Sequence, residues 1–233
     1  MQLTAHHHAI LFSLISRAVI KEIGKEKGAA LIRAAVKKYG LQRGKRMAKR
    51  ALKNRHALTM DNYLAYSEWK VPKNSMKFKF IEKSPHARIN IFKCPWNEAW
   101  KESDLLEYGK YFCQEIDRAL VKGFNPDLKI EIYSTQTNGS NMCDFVFKDA
   151  RLSLLKIPGL IYKKKIKPGA QAIMPWDYHA GHLYKTMGEQ IKQKLGDRAD
   201  QIMEKAMQDF TLFFSNEYIA DIIKYKDTNF EEI

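Results

Sequence analysis

Residues 87–149 read ARINIFKCPWNEAWKESDLLEYGKYFCQEIDRALVKGFNPDLKIEIYSTQTNGSNMCDFVFKD and contain all three cysteines of the chain. Cys94 closes a segment whose apolar residues alternate as in a β-strand, and Cys143 opens another such segment. Cys113 lies in the middle of a helical pattern over 105–121. We therefore expect three elements to bring three thiols toward one place.

The periodicity outside this stretch predicts the remaining elements. Further strands are expected over 76–80 and 128–132, with turns at Ser84-Pro85 and Asn138-Gly139. Apolar residues with helical spacing predict a first helix from Thr4 to Gly24 and a second over 29–52, which continues or kinks at Gly40. Further helices are predicted over 58–69 and after Pro175. The segment 151–172 favours a loop or an edge hairpin.

These elements predict an α+β fold in which N- and C-terminal helical hairpins flank an antiparallel sheet. A length of 233 residues with 45% apolar residues suits one domain over residues 1–233. The odd number of cysteines, without a CxxC pair, indicates reduced thiols rather than a disulfide framework.

An apolar run over 9–16 is the strongest candidate for a targeting or membrane segment. It is too short to span a bilayer and lacks the basic leader and cleavage site of a signal peptide. We therefore expect a cytoplasmic protein that is not embedded in a membrane. The sequence leaves homo-oligomerisation open.

The formal net charge of +14 is concentrated in one helical region, over 21–55, where only Glu22 and Glu26 oppose the Lys and Arg residues. Helical spacing predicts an apolar face that contains Met47, Ala48, Ala51 and Leu52. The opposite, basic face is expected to point into solvent and at most to attract an anionic substrate; its residues are Lys45, Arg46, Lys49, Arg50 and Lys53. A nucleic-acid surface is the alternative, although no nucleic-acid-binding motif accompanies the charge.

One face of the helix over 105–121 has the composition of a reactive site. Gly109, Cys113 and Asp117 are spaced by four, so we expect the glycine to leave open space beside the thiol. A thiolate can attack an electrophilic carbon, and a nearby carboxyl group can transfer protons. The structural alternative is that Cys113 is a small buried hydrophobe and Asp117 a surface charge.

Histidines are paired near two predicted helix starts: His7 with His8, and His179 with His182. The positive end of a helix dipole disfavours imidazolium, so neutral rings that accept a proton or bind a metal are expected. With the thiols they could hold zinc or iron, although the usual catalytic glutamate is missing from HxxH. Capping or core packing is the structural alternative, and the cofactor is left undetermined.

Several segments together resemble the family of L-2-amino-thiazoline-4-carboxylic acid hydrolases, and the similarity covers nearly the whole chain. They are HHAILFSLISRAVI, YGLQRGKRMAKRAL, CPWNEAW, YGKYFCQEIDRALVKGFNP and CDFVF. The resemblance implies a small-molecule substrate and a hydrolase acting on C–N bonds of a cyclic amidine, which opens 2-amino-thiazoline-4-carboxylate to N-carbamoyl-L-cysteine. Members of a family need not share one substrate.

Under that reaction, Cys113 is the expected nucleophile, His8 or His179 the base, and Asp117 the donor of a proton to a departing ring nitrogen. The residues expected to contact the substrate are Cys94, Cys143, Arg88, His182 and His7. The chain is also similar in architecture to the ligand-binding fold of nitric-oxide sensors and vesicle-tethering subunits. That similarity supplies the alternative of a sensor or binding protein without turnover.

Overall fold

A computed structural model describes residues 2–152, 157–165 and 169–232. The helices are α1 (Ala5–Ile23), α2 (Lys25–Lys53), α3 (Met60–Ala65), α4 (Pro95–Glu102), α5 (Leu106–Phe124), α6 (Ile157–Lys165), α7 (Gly169–Ala172), α8 (Trp176–Leu195), α9 (Arg198–Thr211) and α10 (Glu217–Ile223). The strands are β1 (Lys77–Glu82), β2 (Ala87–Lys93), β3 (Ile130–Ser134) and β4 (Cys143–Phe147). No helix within these described ranges is long and apolar enough to cross a membrane.

The four strands form one antiparallel sheet in the order β1-β2-β4-β3. The register places Phe145 opposite Ile89 on one side and Ile132 on the other, so alternate apolar side chains share one face. The predicted α+β class, with an antiparallel sheet and helical hairpins at both ends of the sequence, is confirmed.

The chain forms two compact units, each assembled from separate stretches. The first comprises Met1–Tyr39, Pro95–Ile116 and Pro175–Asn229, and the second Gly40–Cys94, Asp117–Met174 and Phe230–Ile233. Neither is a continuous segment, and the single domain expected over residues 1–233 stays a prediction.

Helix α1 is the centre of the first unit and packs against α4, α8 and α9. Apolar residues surround most of its circumference, so it is buried on nearly all sides. The indole N–H of Trp100 donates to the Ala9 carbonyl over 2.9 Å and ties α4 to α1. Gly24, with φ of 82°, ends the helix as predicted.

In the second unit α2 and α5 approach so closely that glycine is required on both. A Cβ added at Gly44 would overlap the carbonyl oxygen of Leu120, and one added at Gly123 would overlap that of Leu41. Side chains at these positions would push the two backbones apart. Helix α2 passes through Gly40 without ending, so continuation rather than a break is observed.

The expectation of a solvent-facing basic surface is wrong for two of its arginines. The Arg46 side chain is fully buried and Arg50 is 15% exposed, while Leu52 of the predicted apolar face is 57% exposed. Both arginines, together with Arg43, bind the buried carboxylate of Glu68. Lys45 and Lys49 are exposed as predicted.

This ion cluster is closely bonded. Arg46 donates through Nε and Nη2 to the two Glu68 oxygens, each over 2.9 Å, and through Nη1 to the Phe230 carbonyl over 2.6 Å. Arg43 Nε donates to Glu68 over 3.2 Å, and Arg50 Nη1 donates to the same carboxylate. Three cations thus share one buried anion, whose pairing compensates much of their desolvation.

Other expectations were wrong in detail. Helix α3 is shorter than the helix expected over 58–69, and α5 continues to Phe124, three residues beyond the helix expected over 105–121. The loop or edge hairpin expected over 151–172 is helical in α6 and α7; residues 153–156 and 166–168 lie outside the described part of the chain.

Strand β1 lies at one edge of the sheet and is the most exposed of the strands described. Phe78 is 54% and Ile81 49% exposed, and Lys77 and Lys79 alternate with the apolar residues. The predicted alternation is therefore present, but it does not bury one face of this strand.

We expect Glu68→Gln to lower the free energy of unfolding by about 3–5 kcal/mol, because an amide would leave three buried guanidinium groups without their shared charge. Urea-induced unfolding at neutral pH measures the change. Glu102→Gln, at an exposed position, is the control and should change stability by less than about 0.5 kcal/mol. Equal stability of the two variants would show that the cluster does not depend on the Glu68 charge.

Candidate functional site

Three histidines of the first unit are withdrawn from solvent: His8 is 2%, His179 1% and His182 0% exposed. Helix α1 supplies His8, and the first two turns of α8 supply the other two. Aromatic rings surround His8, with centroids 5.7 to 6.3 Å from its own: Tyr39, Trp96, Phe112 and Trp176. We call these seven side chains the histidine cluster.

Hydrogen bonds fix the tautomer of His8. The indole N–H of Trp96 donates to His8 Nδ1 over 3.2 Å, and an indole nitrogen can only donate. Nδ1 therefore carries no proton, and the neutral ring has its proton on Nε2. That N–H donates to the Tyr39 hydroxyl oxygen over 3.1 Å.

Tyr39 joins the three histidines. Its hydroxyl accepts from His8, so its own proton is directed elsewhere, and the His179 carbonyl lies 3.5 Å away. Its ring packs against His182 with centroids 4.6 Å apart. His179 in turn lies 5.4 Å from the Trp176 ring. The arrangement is a buried, polar and aromatic site suited to proton transfer.

His7 closes the start of α1, and its expected contact with substrate stays a prediction. The backbone N–H of Thr4 donates to His7 Nδ1 over 3.2 Å, and the His7 ring packs on Phe214 and Tyr218. Burial, and secondarily the charge of His6, lower the pKa of His7 to about 4. The ring is thus neutral near pH 7, as predicted, but it serves as a cap.

The space expected beside Cys113 is filled. A Cβ at Gly109 would overlap the Trp100 indole, so the glycine admits a tryptophan of α4 rather than a ligand. Cys113 itself is half-buried on α5, directly after Phe112 of the histidine cluster. Its role as nucleophile stays a prediction without the pocket that first suggested it.

Asp117, on α5 in the second unit, is a carboxyl group with altered acidity. Burial raises its pKa from 3.8 to about 6, although Arg43 and Arg118 oppose the shift. Burial first and the Asp117 charge second raise the pKa of Tyr63, which is consistent with proximity of the two groups. A carboxyl group of this pKa can hold and release a proton near neutrality.

The other two thiols lie in the second unit, and none of the three forms a disulfide. Cys143 is buried opposite Ile91, accepts from the Gln136 N–H over 3.4 Å, and has its pKa raised by burial. Cys94 follows the end of β2 and is half-buried. Convergence of the three thiols stays a prediction.

Arg88, expected to hold a substrate carboxylate, is bound to Asp144 of the neighbouring strand. Its Nε and Nη2 donate to the two carboxylate oxygens over 3.0 and 2.6 Å, a bidentate pair. A substrate would have to compete with Asp144 for this guanidinium group.

The sequence left open a zinc or iron site formed by histidines and cysteines. Within the described ranges, no group of three or more His, Cys, Asp or Glu side chains is placed to hold a metal ion. The histidine cluster instead uses phenol and indole groups as the partners of its rings.

The family model for L-2-amino-thiazoline-4-carboxylic acid hydrolase matches residues 4–147. The chain belongs to this family. Searches of curated proteins and of solved structures found no match. The family model includes α1 to β4, and therefore His8, Tyr39 and Trp96; His179 and His182 lie beyond its end.

Sequence reasoning missed the partners of the histidines in this hydrolase-family chain. Tyr39, Trp96 and Trp176 were not singled out. One signal was present: CPWNEAW places two indole donors four residues apart, and a buried indole N–H needs an acceptor. Glu68 carried no comparable signal.

Asp117→Asn should stabilise the protein by about 1–3 kcal/mol at pH 8, because it removes a carboxylate that burial disfavours. Since the folded-state pKa is raised, the wild type loses stability as pH rises from about 4 to about 6, and the amide variant should not. The difference should vanish below pH 4. Urea unfolding across this range, with exposed Asp127→Asn as control, would contradict the prediction if the difference were independent of pH.

Nitrogen-15 NMR of the imidazole rings tests the His8 tautomer. We expect an unprotonated Nδ1 and a protonated Nε2 in the wild type, and a mixture of tautomers in Trp96→Phe, which lacks the indole donor. Trp100→Phe is the matched control, because that indole of the same helix donates to a backbone carbonyl instead. A protonated Nδ1 in the wild type would refute the assignment.

Proposed function

We propose that the protein is a hydrolase that opens a cyclic amidine such as L-2-amino-thiazoline-4-carboxylate to N-carbamoyl-L-cysteine. The observation that carries the proposal is the histidine cluster of a chain in this hydrolase family: His8 bonds to the Tyr39 hydroxyl, His182 packs on the Tyr39 ring, and the backbone carbonyl of buried His179 lies 3.5 Å from that hydroxyl. Three thiols without a disulfide suit a reducing compartment, so we also place its action in the cytoplasm.

The product determines which bond opens the ring. The oxygen of water bonds to the amidine carbon, and the carbon–sulfur bond breaks with its electron pair leaving on sulfur. The ring nitrogen stays attached, so the departing atom is sulfur rather than the nitrogen expected from the sequence. One proton of water ends on the ring nitrogen and the other on the thiol.

His179 is the proposed base that takes a proton from the attacking water. It is buried near the N-terminus of α8, where the helix dipole favours the neutral ring. His8 is less suited to this role, because its Nδ1 accepts from Trp96 and its Nε2 proton is donated to Tyr39. We assign His8 to the orientation of the Tyr39 hydroxyl, and His182 to packing against the Tyr39 ring.

Cys113 and Asp117 form the competing mechanism. Their spacing of four on α5 makes them neighbours on one helix face. The Cys113 thiolate would bond to the amidine carbon, and the carbon–sulfur bond of the ring would break with its electron pair on the ring sulfur, which takes up a proton. Water would then bond to the same carbon and displace the Cys113 thiolate, which gives N-carbamoyl-L-cysteine. The pKa of about 6 supports Asp117 as the group that protonates the ring nitrogen.

Thiol release from 2-amino-thiazoline-4-carboxylate measures turnover directly, because the product has a thiol that the substrate lacks. We expect His179→Gln to lower kcat by about 100-fold or more. Cys113→Ser should retain most activity if water attacks and lose it if the thiol attacks. His6→Gln, a half-buried histidine outside the cluster, is the control and should retain activity.

Turnover by the wild type that survives both His179→Gln and Cys113→Ser, with the fold intact, would refute both mechanisms. A wild type that binds cyclic amidines without releasing thiol would refute the hydrolase proposal. That result would instead support the sensor or binding protein.

A further inference from the structure

Asn97 of α4 is a buried amide whose hydrogen-bonding groups are not used by the part of the protein that the structure describes. Asn97 is 2% exposed, and neither Oδ1 nor Nδ2 has a hydrogen-bond partner among the described residues. Within the described ranges it is the one side chain with two such buried atoms. Leaving a buried polar group unsatisfied costs about 1–3 kcal/mol, so an amide without partners at either end requires an explanation.

Asn97 is next in sequence to a member of the histidine cluster. It directly follows Trp96, whose indole fixes the His8 tautomer, and precedes Trp100, whose indole is bound to α1, by three residues. Both tryptophans are held by their own hydrogen bonds, so this part of α4 has a defined orientation. The Asn97 amide thus lies on a helix that two indole hydrogen bonds hold in place.

The chemistry of a primary amide selects a particular kind of ligand. Its oxygen accepts and its nitrogen donates along one planar edge. A neutral cyclic amidine presents the complementary edge, an exocyclic N–H beside a ring nitrogen with a lone pair. Asparagine binds the same donor–acceptor pair on adenine through two parallel hydrogen bonds.

We propose that Asn97 is a substrate-binding residue that recognises the amidine edge, with Oδ1 accepting from the exocyclic N–H and Nδ2 donating to the ring nitrogen. This inference rests on the proposed function and identifies the amidine edge as the part of the substrate that the protein recognises. It makes Asn97 a determinant of specificity. A ring without the exocyclic nitrogen leaves the amide oxygen without a partner.

Binding of two small probes tests this without turnover. 2-Aminothiazole is a neutral aromatic ring with the required N–H and ring nitrogen, and 2-methylthiazole keeps the ring nitrogen but lacks the N–H. We expect the wild type to bind 2-aminothiazole about tenfold or more tightly in calorimetric titrations, the effect of one good hydrogen-bonded contact. Asn97→Leu should reduce that ratio to about one.

Two further variants make the result decisive. Asn97→Ala removes the amide without adding bulk, and replaces the leucine variant if that one does not fold. Asn90→Leu, which removes another buried amide, located in the second unit, should leave the ratio unchanged. Thermal melting of each variant establishes that the fold is intact.

An unchanged ratio in a folded Asn97 variant would overturn the inference, and would mean that the amide holds at most a buried water molecule. A wild type that binds neither probe would overturn it as well. Failure of the proposed function is a separate result, since it is scored by thiol release. A protein that shows the Asn97-dependent preference but no turnover retains the binding site and loses the hydrolase assignment.

Discussion

The buried carboxylate of Glu68 is the constraint on which the second unit depends. Arg43, Arg46 and Arg50 lie on successive turns of one face of α2, and each bonds to this single anion. Guanidinium groups are always charged, so burying three of them requires a fixed counter-charge. The pairing sets the rotation of α2 about its axis and decides which of its basic residues remain available to solvent.

The order of helices and strands could be predicted because it depends on local spacing. Alternation in 87–93 and 143–147 identified both central strands, and the expected end of the first helix at Gly24 was correct. Burial of Arg46 could not be predicted in the same way. Its partner, Glu68, lies after the end of α3, and helical spacing on α2 does not indicate that pairing. Only the three-dimensional structure shows why a charged residue is interior.

In the candidate site, too, local spacing indicated which residues matter but not which residues they contact. The four histidines near helix starts were chosen on sound electrostatic grounds, and three of them are deeply buried. Their individual chemistry depends on neighbours that the sequence does not specify: Trp96 fixes the tautomer of His8, and Thr4 uses His7 as a cap. Gly109, Cys113 and Asp117 lie in one helix, α5, as the spacing indicated. The space beside Gly109 is nevertheless occupied by Trp100 of α4.

The exposed edge strand β1 has a consequence for how the molecule behaves in concentrated solution. Two copies that met edge to edge at β1 would bring Lys77 and Lys79 of one copy close to the same lysines of the other, and these charges repel. Burial of the exposed Phe78 and Ile81 side chains between the copies would favour the contact. Repulsion between these lysines is screened within about 10 Å at 0.1 M salt and about 3 Å at 1 M. Colloidal stability is therefore greatest in dilute buffer, and added salt favours association of two copies through β1.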